Sequence, residues 1–318
     1  MDTILHGKAE ELLPLPFKVH LTVTSPPYFN VKDYVSYSSY EEYIATLKHI
    51  FTLVMEVTHP GRMCCVNVSN ILIPRESRSK ESKRIPLVFH FVPLMEAIGW
   101  KFIEDIQWVK PEGAVKNRNG GFFQHRQPLA YKPNTVNEYI LVFQKPCTTL
   151  IDQIVRGYDA QTAEESKVGE YERTNVWHIN PETRSKHPAP YPEELVERLV
   201  RYYSYVGDVV LDPFMGSGTT AVVAKRFNRR FTGCEIHDQY IAMANARLAK
   251  TTPIDRLPAL RIPDMETIED LRAWLKAQPK RVISALVPGS KKSESKSGLV
   301  TRLEERWSSS SLKSTSSH

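Results

Sequence analysis

One stretch of the sequence decides the fold class of this chain: Val209-Val210-Leu211-Asp212-Pro213-Phe214-Met215-Gly216-Ser217-Gly218-Thr219-Thr220. Its apolar residues predict a short buried strand, and the glycine-rich residues after them predict a turn that opens a helix, Ala221 to Phe227. The glycines allow the backbone to approach a ligand closely, and the start of the helix offers unpaired N–H groups. A strand, a glycine turn and a helix in this order are typical of a ligand-binding unit in an open α/β sheet.

The next predicted strand, Arg230 to Ile236, carries an acid near its C-terminal end. This acid, Glu235, lies about 20 residues beyond the turn, where a carboxylate can bind ribose hydroxyls. The six-position dinucleotide fingerprint is absent, because Thr219 and Ala221 stand where glycines would be expected. Asp212 beside the turn would also repel a pyrophosphate. The pattern favours a ligand with a ribose, a cationic amino group and no phosphate, and S-adenosylmethionine is such a molecule.

A second strand, Val19 to Val23, ends in the stiff sequence Thr24-Ser25-Pro26-Pro27-Tyr28. Proline fixes φ, has no N–H group and biases the residue before it to an extended conformation. The carbonyl groups of Ser25 and Pro26 are therefore held rigidly. Taken alone, this sequence is also typical of a polyproline turn or of a peptide ligand for another domain.

Further helices and strands alternate along the chain and predict an α/β fold with a mostly parallel sheet. The predicted helices are Ala9 to Leu13, Ser39 to Val54, Leu87 to Ile98 (broken early by Pro93), Tyr191 to Tyr203, Gln239 to Lys250 and Thr267 to Ala277. The predicted strands are Met63 to Val68 (after a turn at His59 to Gly61), Phe102 to Val109 and Glu138 to Phe143. Residues 144–176 show no strong period.

Composition narrows the function classes. With 318 residues, 41% of them hydrophobic, the chain can bury a sizeable core. The net charge of +6 suits a polyanionic partner without requiring one. The sequence contains no apolar run of membrane-spanning length, and its four cysteines have no metal-ligand spacing. We therefore expect a reduced, cytoplasmic protein without a metal site or a membrane partner.

Together, the two motifs resemble those of the DNA amino-methyltransferases, the N-4/N-6 DNA methylases, in the permuted beta arrangement that places Ser-Pro-Pro-Tyr before the cofactor loop. Supporting segments match in the same order: His6-Gly7, Trp108-x-Lys110, Asn137-Glu138-Tyr139-Ile140, Asn175-Val176-Trp177 and His187 to Pro192. The resemblance covers roughly residues 4–250. It implies a Rossmann-like, S-adenosylmethionine-dependent methyltransferase fold with a mostly parallel sheet of about seven strands and one reversed hairpin.

The resemblance also implies site residues. The implied catalytic residues are Ser25, Pro26, Pro27 and Tyr28, and the implied cofactor-binding residues are Asp212, Pro213, Phe214, Gly216, Ser217, Gly218, Thr219, Thr220, Glu235 and His187. A structural contact is an equal interpretation for His187. The Ser25 hydroxyl and the Pro26 carbonyl would accept the two hydrogens of an exocyclic amine on a base that has left the duplex stack. Lys8 stands where the family usually has an acid, and lysine cannot accept a hydrogen bond.

Within this family, serine before Pro-Pro-Tyr is usual for cytosine N4, and Asp or Asn for adenine N6. Ser25 therefore predicts N4 of cytosine as the methylated atom. Together with the resemblance, this makes a site-specific N4-cytosine methyltransferase of double-stranded DNA in a bacterial restriction–modification system the leading expectation. Its expected partners are double-stranded DNA and, functionally, a cognate restriction endonuclease, and we expect a monomer or a homodimer. Adenine N6 methylation, RNA base methylation and non-catalytic nucleic-acid binding are the alternatives. A C5-cytosine enzyme would need a Pro-Cys nucleophile, and Pro146-Cys147 stands in the wrong order for it.

DNA contacts are expected from irregular basic stretches, for which a solvated loop is the alternative interpretation. The candidates are Lys110, Lys116, Arg118, Arg126, Arg78 and Arg84. We expect a catalytic domain at 1–250 with a short target-recognition region at about 111–176, a small extension at 251–288 and a disordered Ser/Lys-rich tail at 289–318.

Overall fold

A computed structural model describes most of the chain: residues 1–29, 37–73, 77, 79–80, 82–115, 128–129, 131, 133–182, 191–256, 267–278, 280, 283, 287 and 294–314, with side chains up to 306 in the last range. The chain divides into two compact units. The first comprises Met1–Ile151 and Val168–Ile254, and the second comprises Asp152–Lys167 and Asp255–His318.

The strands are β1 Thr3–His6, β2 Val19–Thr24, β3 Thr58–Val68, β4 Ile71–Ile73, β5 Lys83–Ile85, β6 Lys101–Val109, β7 Asn137–Gln144, β8 Val176–His178, β9 Val209–Asp212 and β10 Arg230–Glu235. The helices are α1 Ala9–Leu12, α2 Tyr40–Val57, α3 Leu87–Ile98, α4 Ile151–Arg156, α5 Ala160–Glu165, α6 Glu193–Tyr203, α7 Thr219–Arg226, α8 Asp238–Lys250, α9 Ile268–Ala277 and α10 Lys296–Ser314, with a 3₁₀ turn at Glu112–Ala114. Within the described part of the chain, no helix combines the length and the hydropathy needed to cross a membrane.

The first unit is built on an eight-stranded sheet in the order β1-β10-β9-β2-β3-β7-β6-β8. Neighbouring strands are parallel except at β7, which runs antiparallel to both β3 and β6. The predicted mostly parallel sheet is thus confirmed; it has eight strands where about seven were expected, and β7 is the antiparallel one. The chain leaves β2 toward β3 on one side and leaves β9 toward β10 on the other. Ligands bind at such a switch point, outside the carboxyl ends of the strands.

Two hydrophobic clusters cover the two faces of the sheet and fix the positions of its strand ends. On one face, α2 buries residues at helical spacing, Tyr43, Leu47, Ile50, Phe51 and Val54, together with apolar residues of α1 and α3. On the other face, α6, α7 and α8 pack against the sheet through a second cluster. Aliphatic and aromatic burial on both faces explains why a parallel sheet forms here.

Three local predictions were wrong. His59 to Gly61 is not a separate turn but part of β3, where the pairing with β2 shifts register. Pro93 does not break α3, because the helix runs through it and buries apolar residues on both sides of it. Residues 144–176, where the sequence shows no strong period and no element was predicted, contain α4, α5 and the start of β8.

The second unit contains α5, α9 and α10 and has its own apolar cluster. Leu271 and Leu275 of α9 pack with Leu299 and Leu303 of α10, one helical turn apart in each helix. The prediction of a disordered tail is therefore wrong over Lys296–Ser314. Disorder was predicted from the Ser/Lys-rich composition of this segment. Leu299 and Leu303 nevertheless give the helix a buried apolar face. Residues 152–167 also group with this unit and not with the predicted catalytic domain.

Candidate active site

A cavity of about 350 Å³ lies in the first unit, beyond the carboxyl ends of β1, β2, β9 and β10. It is lined by Gly7, Lys8, Ala9, Glu10, Ser25, Pro26, Pro27, Tyr28, Tyr37, Glu42, Thr46, Ile50, Tyr191, Pro213, Phe214, Met215, Gly216, Ser217, Thr219, Cys234, Glu235, Ile236, His237 and Tyr240. The two sequence motifs, which lie far apart in the chain, thus line one cavity, because their strands β2 and β9 are neighbours in the sheet.

The tetrapeptide end of the cavity contains a hydroxyl with a defined orientation. Ser25 Oγ lies 3.2 Å from the backbone carbonyl oxygen of Asn67 at the end of β3. A carbonyl oxygen can only accept, so the hydroxyl proton of Ser25 points to Asn67. The lone pairs of Ser25 Oγ are left to accept hydrogen bonds from a ligand. The Pro26 carbonyl is the second acceptor in this segment, and neither proline supplies a competing N–H group.

The opposite wall is the loop between β9 and α7. Gly216 and Gly218 adopt φ values of 54° and 81°, in the left-handed region that glycine enters without a Cβ penalty. Glu235, which is 7% exposed, accepts N–H groups from Gly216 at 2.8 Å and from His237 at 2.9 Å, one on each carboxylate oxygen. Each oxygen therefore keeps capacity for a further donor, as a ribose-binding carboxylate requires.

Asp212 lies behind this wall and not at its surface. Its carboxylate is fully buried and accepts hydrogen bonds from Thr24 Oγ1 (2.6 Å), Thr220 Oγ1 (2.7 Å), the Phe214 N–H (3.0 Å) and the Tyr191 hydroxyl (3.0 Å). Burial raises the pKa of Asp212, and these hydrogen bonds oppose that shift. Asp212 therefore does not line the cavity, and its implied contact with the cofactor stays a prediction. Asp212 and Thr220 position the cavity wall from behind.

Gly218 also lies behind the wall, at the N-cap of α7. A Cβ at Gly218 would lie 2.5 Å from the Cβ of Ala244, so glycine here allows α8 to pack directly on the loop. From α8, Arg247 Nη1 donates to the carbonyl of Ser217 at 2.8 Å and to Thr219 Oγ1 at 3.1 Å. Its other terminal nitrogen pairs with Glu193 at 2.8 Å. The loop is thus held from outside while its inner face remains open to the cavity.

The sequence matches the model of a DNA methylase family over residues 19–246. The protein belongs to the N-4/N-6 DNA methylase family. It is 29% identical to the type II methyltransferase M.ScaI of Streptomyces caespitosus over 266 residues, which span 78% of this chain and 81% of that protein. It is 31% identical to the orphan methyltransferase M.BamHII of Bacillus amyloliquefaciens over 250 residues, 72% of this chain and 88% of that protein.

Solved structures support the same assignment. A Thermus thermophilus protein, TTHA0409, assigned as a DNA modification methylase and crystallised with S-adenosyl-L-methionine, shares 30% identity with a TM-score of 0.64 over 79% of this chain and 95% of that one. The cytosine-N4-specific PvuII DNA methyltransferase, at 20% identity and a TM-score of 0.56 over 77% of this chain and 85% of that one, shows the likeness of fold alone. The expected S-adenosylmethionine-dependent methyltransferase fold is therefore confirmed.

Two cavity residues of this DNA methyltransferase escaped the sequence-based prediction. Glu10, in the first turn of α1, lines the cavity two residues after Lys8, which itself caps that helix. An acid is therefore present near the position where the family usually has one. Tyr191 lines the cavity and holds Asp212 from the side. Its signal was its position within the matched segment His187 to Pro192, of which His187 lies outside the described residues.

The cysteines offer no nucleophile to this methyltransferase. Cys234 lines the cavity, and burial raises its pKa to about 12, so its thiol is neutral. Cys147 follows β7, which runs from Tyr139 beside Val68, the last residue of β3, to Gln144 beside Met63 in the middle of β3. Cys147 therefore lies at the edge of the sheet opposite to Ser25, which excludes the C5-cytosine alternative. The described residues contain no group of His, Cys, Asp or Glu side chains that could hold a metal ion.

The candidate DNA-binding cations have other partners where the structure describes them. Lys110 forms an ion pair with Glu138 and lies 4.3 Å from the Trp108 ring centroid, with its side chain only 18% exposed. The ammonium group of Lys110 is therefore engaged within the protein, and its contact with a DNA phosphate stays a prediction. Arg84 donates to Thr135 Oγ1 at 2.8 Å and to the Pro133 carbonyl at 3.0 Å, and so holds the segment that precedes β7. The other four candidates, Lys116, Arg118, Arg126 and Arg78, lie outside the described residues.

Proposed function

We propose that this DNA methyltransferase transfers the methyl group of S-adenosylmethionine to the exocyclic N4 of a cytosine in double-stranded DNA. The orientation of the Ser25 hydroxyl carries the proposal. Because its proton is donated to the Asn67 carbonyl at 3.2 Å, its oxygen is an acceptor for a substrate N–H. With the rigid Pro26 carbonyl, it gives the cavity two acceptors, which is the number of hydrogens on an exocyclic amine.

Two hydrogen-bond acceptors can make the exocyclic amine of the base more nucleophilic. The lone pair of an exocyclic amine is delocalised into the base and is a poor nucleophile. Hydrogen bonds to both N–H groups favour a tetrahedral nitrogen, whose lone pair is then localised. No strong base is required, because the nitrogen becomes acidic only after it has been methylated. The ring of Tyr28, which also lines the cavity, offers a face on which a base that has left the duplex can stack.

The residues of the cavity fit S-adenosylmethionine. Glu235 has acceptor capacity for ribose hydroxyls, Glu10 adds a second carboxylate, and Phe214 and Ile236 supply apolar walls for an adenine ring. The left-handed Gly216 brings backbone close to this space. When bound, this cofactor supplies a methyl group that its sulfonium has already activated. The protein then has to hold and orient the reacting groups, which is a large part of catalysis in such reactions.

Two further parts of the proposal depend on similarity. Serine before Pro-Pro-Tyr favours cytosine over adenine in this family, and N6 of adenine is the second candidate because the family includes enzymes of that kind. The similarity to type II methyltransferases such as M.ScaI favours double-stranded DNA as the substrate and a role beside a restriction endonuclease. We propose that the protein acts in the bacterial cytoplasm.

Mass analysis of nucleosides tests the proposal. Duplex DNA incubated with the protein and isotopically labelled S-adenosylmethionine should yield labelled N4-methyldeoxycytidine after hydrolysis. Labelled N6-methyldeoxyadenosine alone would overturn the assignment of the base, and label in tRNA or rRNA alone would overturn the substrate. Ser25→Ala should lower kcat by about 10²-fold or more. Cys147→Ser, at the opposite edge of the sheet, should leave kcat unchanged, and full activity of Ser25→Ala would overturn the mechanism.

A further inference from the structure

We propose that Asn67, Glu138 and Lys110 form a positioning row that holds the Ser25 hydroxyl in its acceptor orientation, so that these residues set kcat without touching the substrate. This inference rests on the proposed role of Ser25 and names the structure behind it.

The row follows from sheet topology. β2, β3, β7 and β6 are consecutive neighbours in the sheet. Because β7 is antiparallel, it begins at the edge where the other three strands end. Each strand therefore brings one polar residue to this edge: Ser25 after β2, Asn67 near the end of β3, Glu138 near the start of β7 and Lys110 directly after β6. Four residues that are distant in sequence become a continuous line.

The contacts along this line have directions fixed by chemistry. Asn67 Nδ2 donates to Glu138 Oε2 at 2.8 Å, and Lys110 Nζ donates to Glu138 Oε1. An ammonium can only donate and a carboxylate can only accept, so the Asn67 amide must turn its nitrogen toward Glu138. The backbone carbonyl of Asn67 then accepts from Ser25 at 3.2 Å. The orientation of the serine is thus connected to a charge pair two strands away.

The unpaired oxygen of Asn67 supports a fixed orientation of its amide. Asn67 is only 5% exposed, and no described residue pairs with its Oδ1. An unsatisfied buried acceptor is unfavourable, because it has lost its hydrogen bonds to water without gaining a partner in the protein. Rotating the amide would instead place Oδ1 against the Glu138 carboxylate, which is less favourable still. The amide therefore keeps the hydrogen bond from Nδ2 to Glu138 and leaves Oδ1 without a partner among the described residues. This fixed amide holds the end of β3 beside Ser25.

The charged end of the row is itself well anchored. The side chains of Lys110 and Glu138 are 18% and 19% exposed, so their attraction is less screened than that of a surface pair. The ammonium also lies 4.3 Å from the ring centroid of Trp108, whose indole N–H donates to the Ile179 carbonyl at 2.8 Å. Hydrogen bonds to ionised groups are stronger than those between neutral groups. Lys110 and Glu138 therefore act as a fixed point for Asn67.

Steady-state kinetics of Glu138→Gln test the positioning row. This change keeps the side-chain shape but removes the charge that attracts Lys110, so kcat should fall about tenfold or more, as for a small misplacement of a reacting group. The Kd for S-adenosylmethionine and the melting temperature should stay at their wild-type values. Lys110→Met should behave like Glu138→Gln, and Lys110→Arg, which keeps the ion pair, should recover most of the activity. Glu104→Gln on β6 is the matched control and should keep full kcat, because among the described residues Glu104 accepts its side-chain hydrogen bond from the Tyr203 hydroxyl, away from Ser25.

A double-mutant cycle with Ser25→Ala, measured as single-turnover methyl transfer, tests the positioning row separately from the proposed role of Ser25. Adding Glu138→Gln to Ser25→Ala should change the rate little, because the hydroxyl that the row orients is gone. Full kcat of Glu138→Gln in the Ser25 background, or a loss matched by a lower melting temperature, would overturn the positioning row and leave the role of Ser25 intact. Full activity of Ser25→Ala would overturn the proposed function itself. If Ser25→Ala shows no measurable turnover, Glu138→Gln alone provides the test. A lower kcat at an unchanged Kd and melting temperature supports the positioning row, and a lower kcat with a lower melting temperature overturns it.

Discussion

The hydroxyl of Thr24 donates a 2.6 Å hydrogen bond to Oδ1 of Asp212, and this buried bond joins the ends of two neighbouring strands. Thr24 directly precedes the tetrapeptide, and Asp212 begins the cofactor loop. Both residues are almost completely buried, at 1% and 0% exposure. The proposed acceptors for the target amine and the proposed loop for the methyl donor are therefore held at a fixed separation, as a transfer between two bound groups requires.

Thr24→Val should weaken this connection. The substitution keeps the size and branching of the side chain but leaves the buried Asp212 carboxylate with one donor fewer. We expect the free energy of unfolding to fall by about 1–3 kcal/mol, and kcat to fall with it because the two strand ends are no longer fixed together. Urea unfolding and steady-state kinetics measure the two effects.

Thr22→Val is the matched control on the same strand. Thr22 is fully buried, and its Oγ1 has no partner among the described residues. Removing an unpaired buried hydroxyl should leave the free energy of unfolding unchanged or raise it. Equal losses for Thr22→Val and Thr24→Val would contradict the special role of the bond to Asp212.

Gly233→Ala should disturb the cofactor loop directly. A Cβ at Gly233 would lie 2.3 Å from both the Asp212 carbonyl oxygen and Met215 Cε, and the backbone atom cannot move aside cheaply. We expect a loss of stability of about 1–3 kcal/mol or more and a weaker Kd for S-adenosylmethionine. Gly169→Ala, where a Cβ would meet nothing within 4 Å, should change neither quantity. A wild-type Kd for Gly233→Ala, measured by calorimetry, would contradict the close packing behind the loop.

The sequence predicted the elements that carry periodic apolar residues, such as β2, α2, α6 and β9, because their burial leaves a regular pattern. It missed β1 and β8, which have four and three residues and leave no such pattern. The predicted glycine turn lines the cavity through Gly216. The burial of Asp212 behind the turn was not predictable, because the direction of its side chain depends on neighbouring strands and on Tyr191.

The ion pair of Lys110 with Glu138 is a second contact that the sequence did not predict. In the sequence it stands at the start of a basic, irregular stretch, which is typical of a nucleic-acid contact. Its partner Glu138 is 28 positions away and becomes its neighbour only through the antiparallel pairing of β6 and β7. Strand register brings the two together, and a single sequence does not specify register at this distance.

Glu10→Gln should weaken cofactor binding. If Glu10 supplies the carboxylate that the family usually has near Lys8, its neutral analogue loses a charge-assisted hydrogen bond, worth about 1.5–3 kcal/mol. The Kd for S-adenosylmethionine should rise by about tenfold or more, whereas kcat at saturating cofactor should change little. Isothermal titration calorimetry measures the Kd. Glu11→Gln, on the exposed side of the same short helix, should bind as the wild type does, and equal affinities of both variants would exclude a contact with Glu10.

His20 should make the stability of the protein depend on pH. Its Nδ1 accepts the Val209 N–H at 3.1 Å, and burial, with smaller contributions from Arg62 and His59, lowers its pKa to about 4 against the opposing effect of Asp208. In the unfolded chain a histidine titrates near 6.5, so the unfolded state binds the proton more tightly. The stabilisation by neutral His20 is therefore complete above about pH 6.5 and is lost as the pH falls toward 4, by at most about 3 kcal/mol.

Urea unfolding between pH 7.5 and pH 4 measures this loss. In His20→Asn the amide oxygen can accept the Val209 N–H but does not titrate, so the free energy of unfolding should fall less steeply over this range than in the wild type. His49, exposed on α2, provides the comparison, since His49→Asn should keep the wild-type pH dependence. If His20→Asn loses stability as steeply as the wild type below pH 6.5, the acid sensitivity originates in other groups, because the variant has no titrating side chain at position 20.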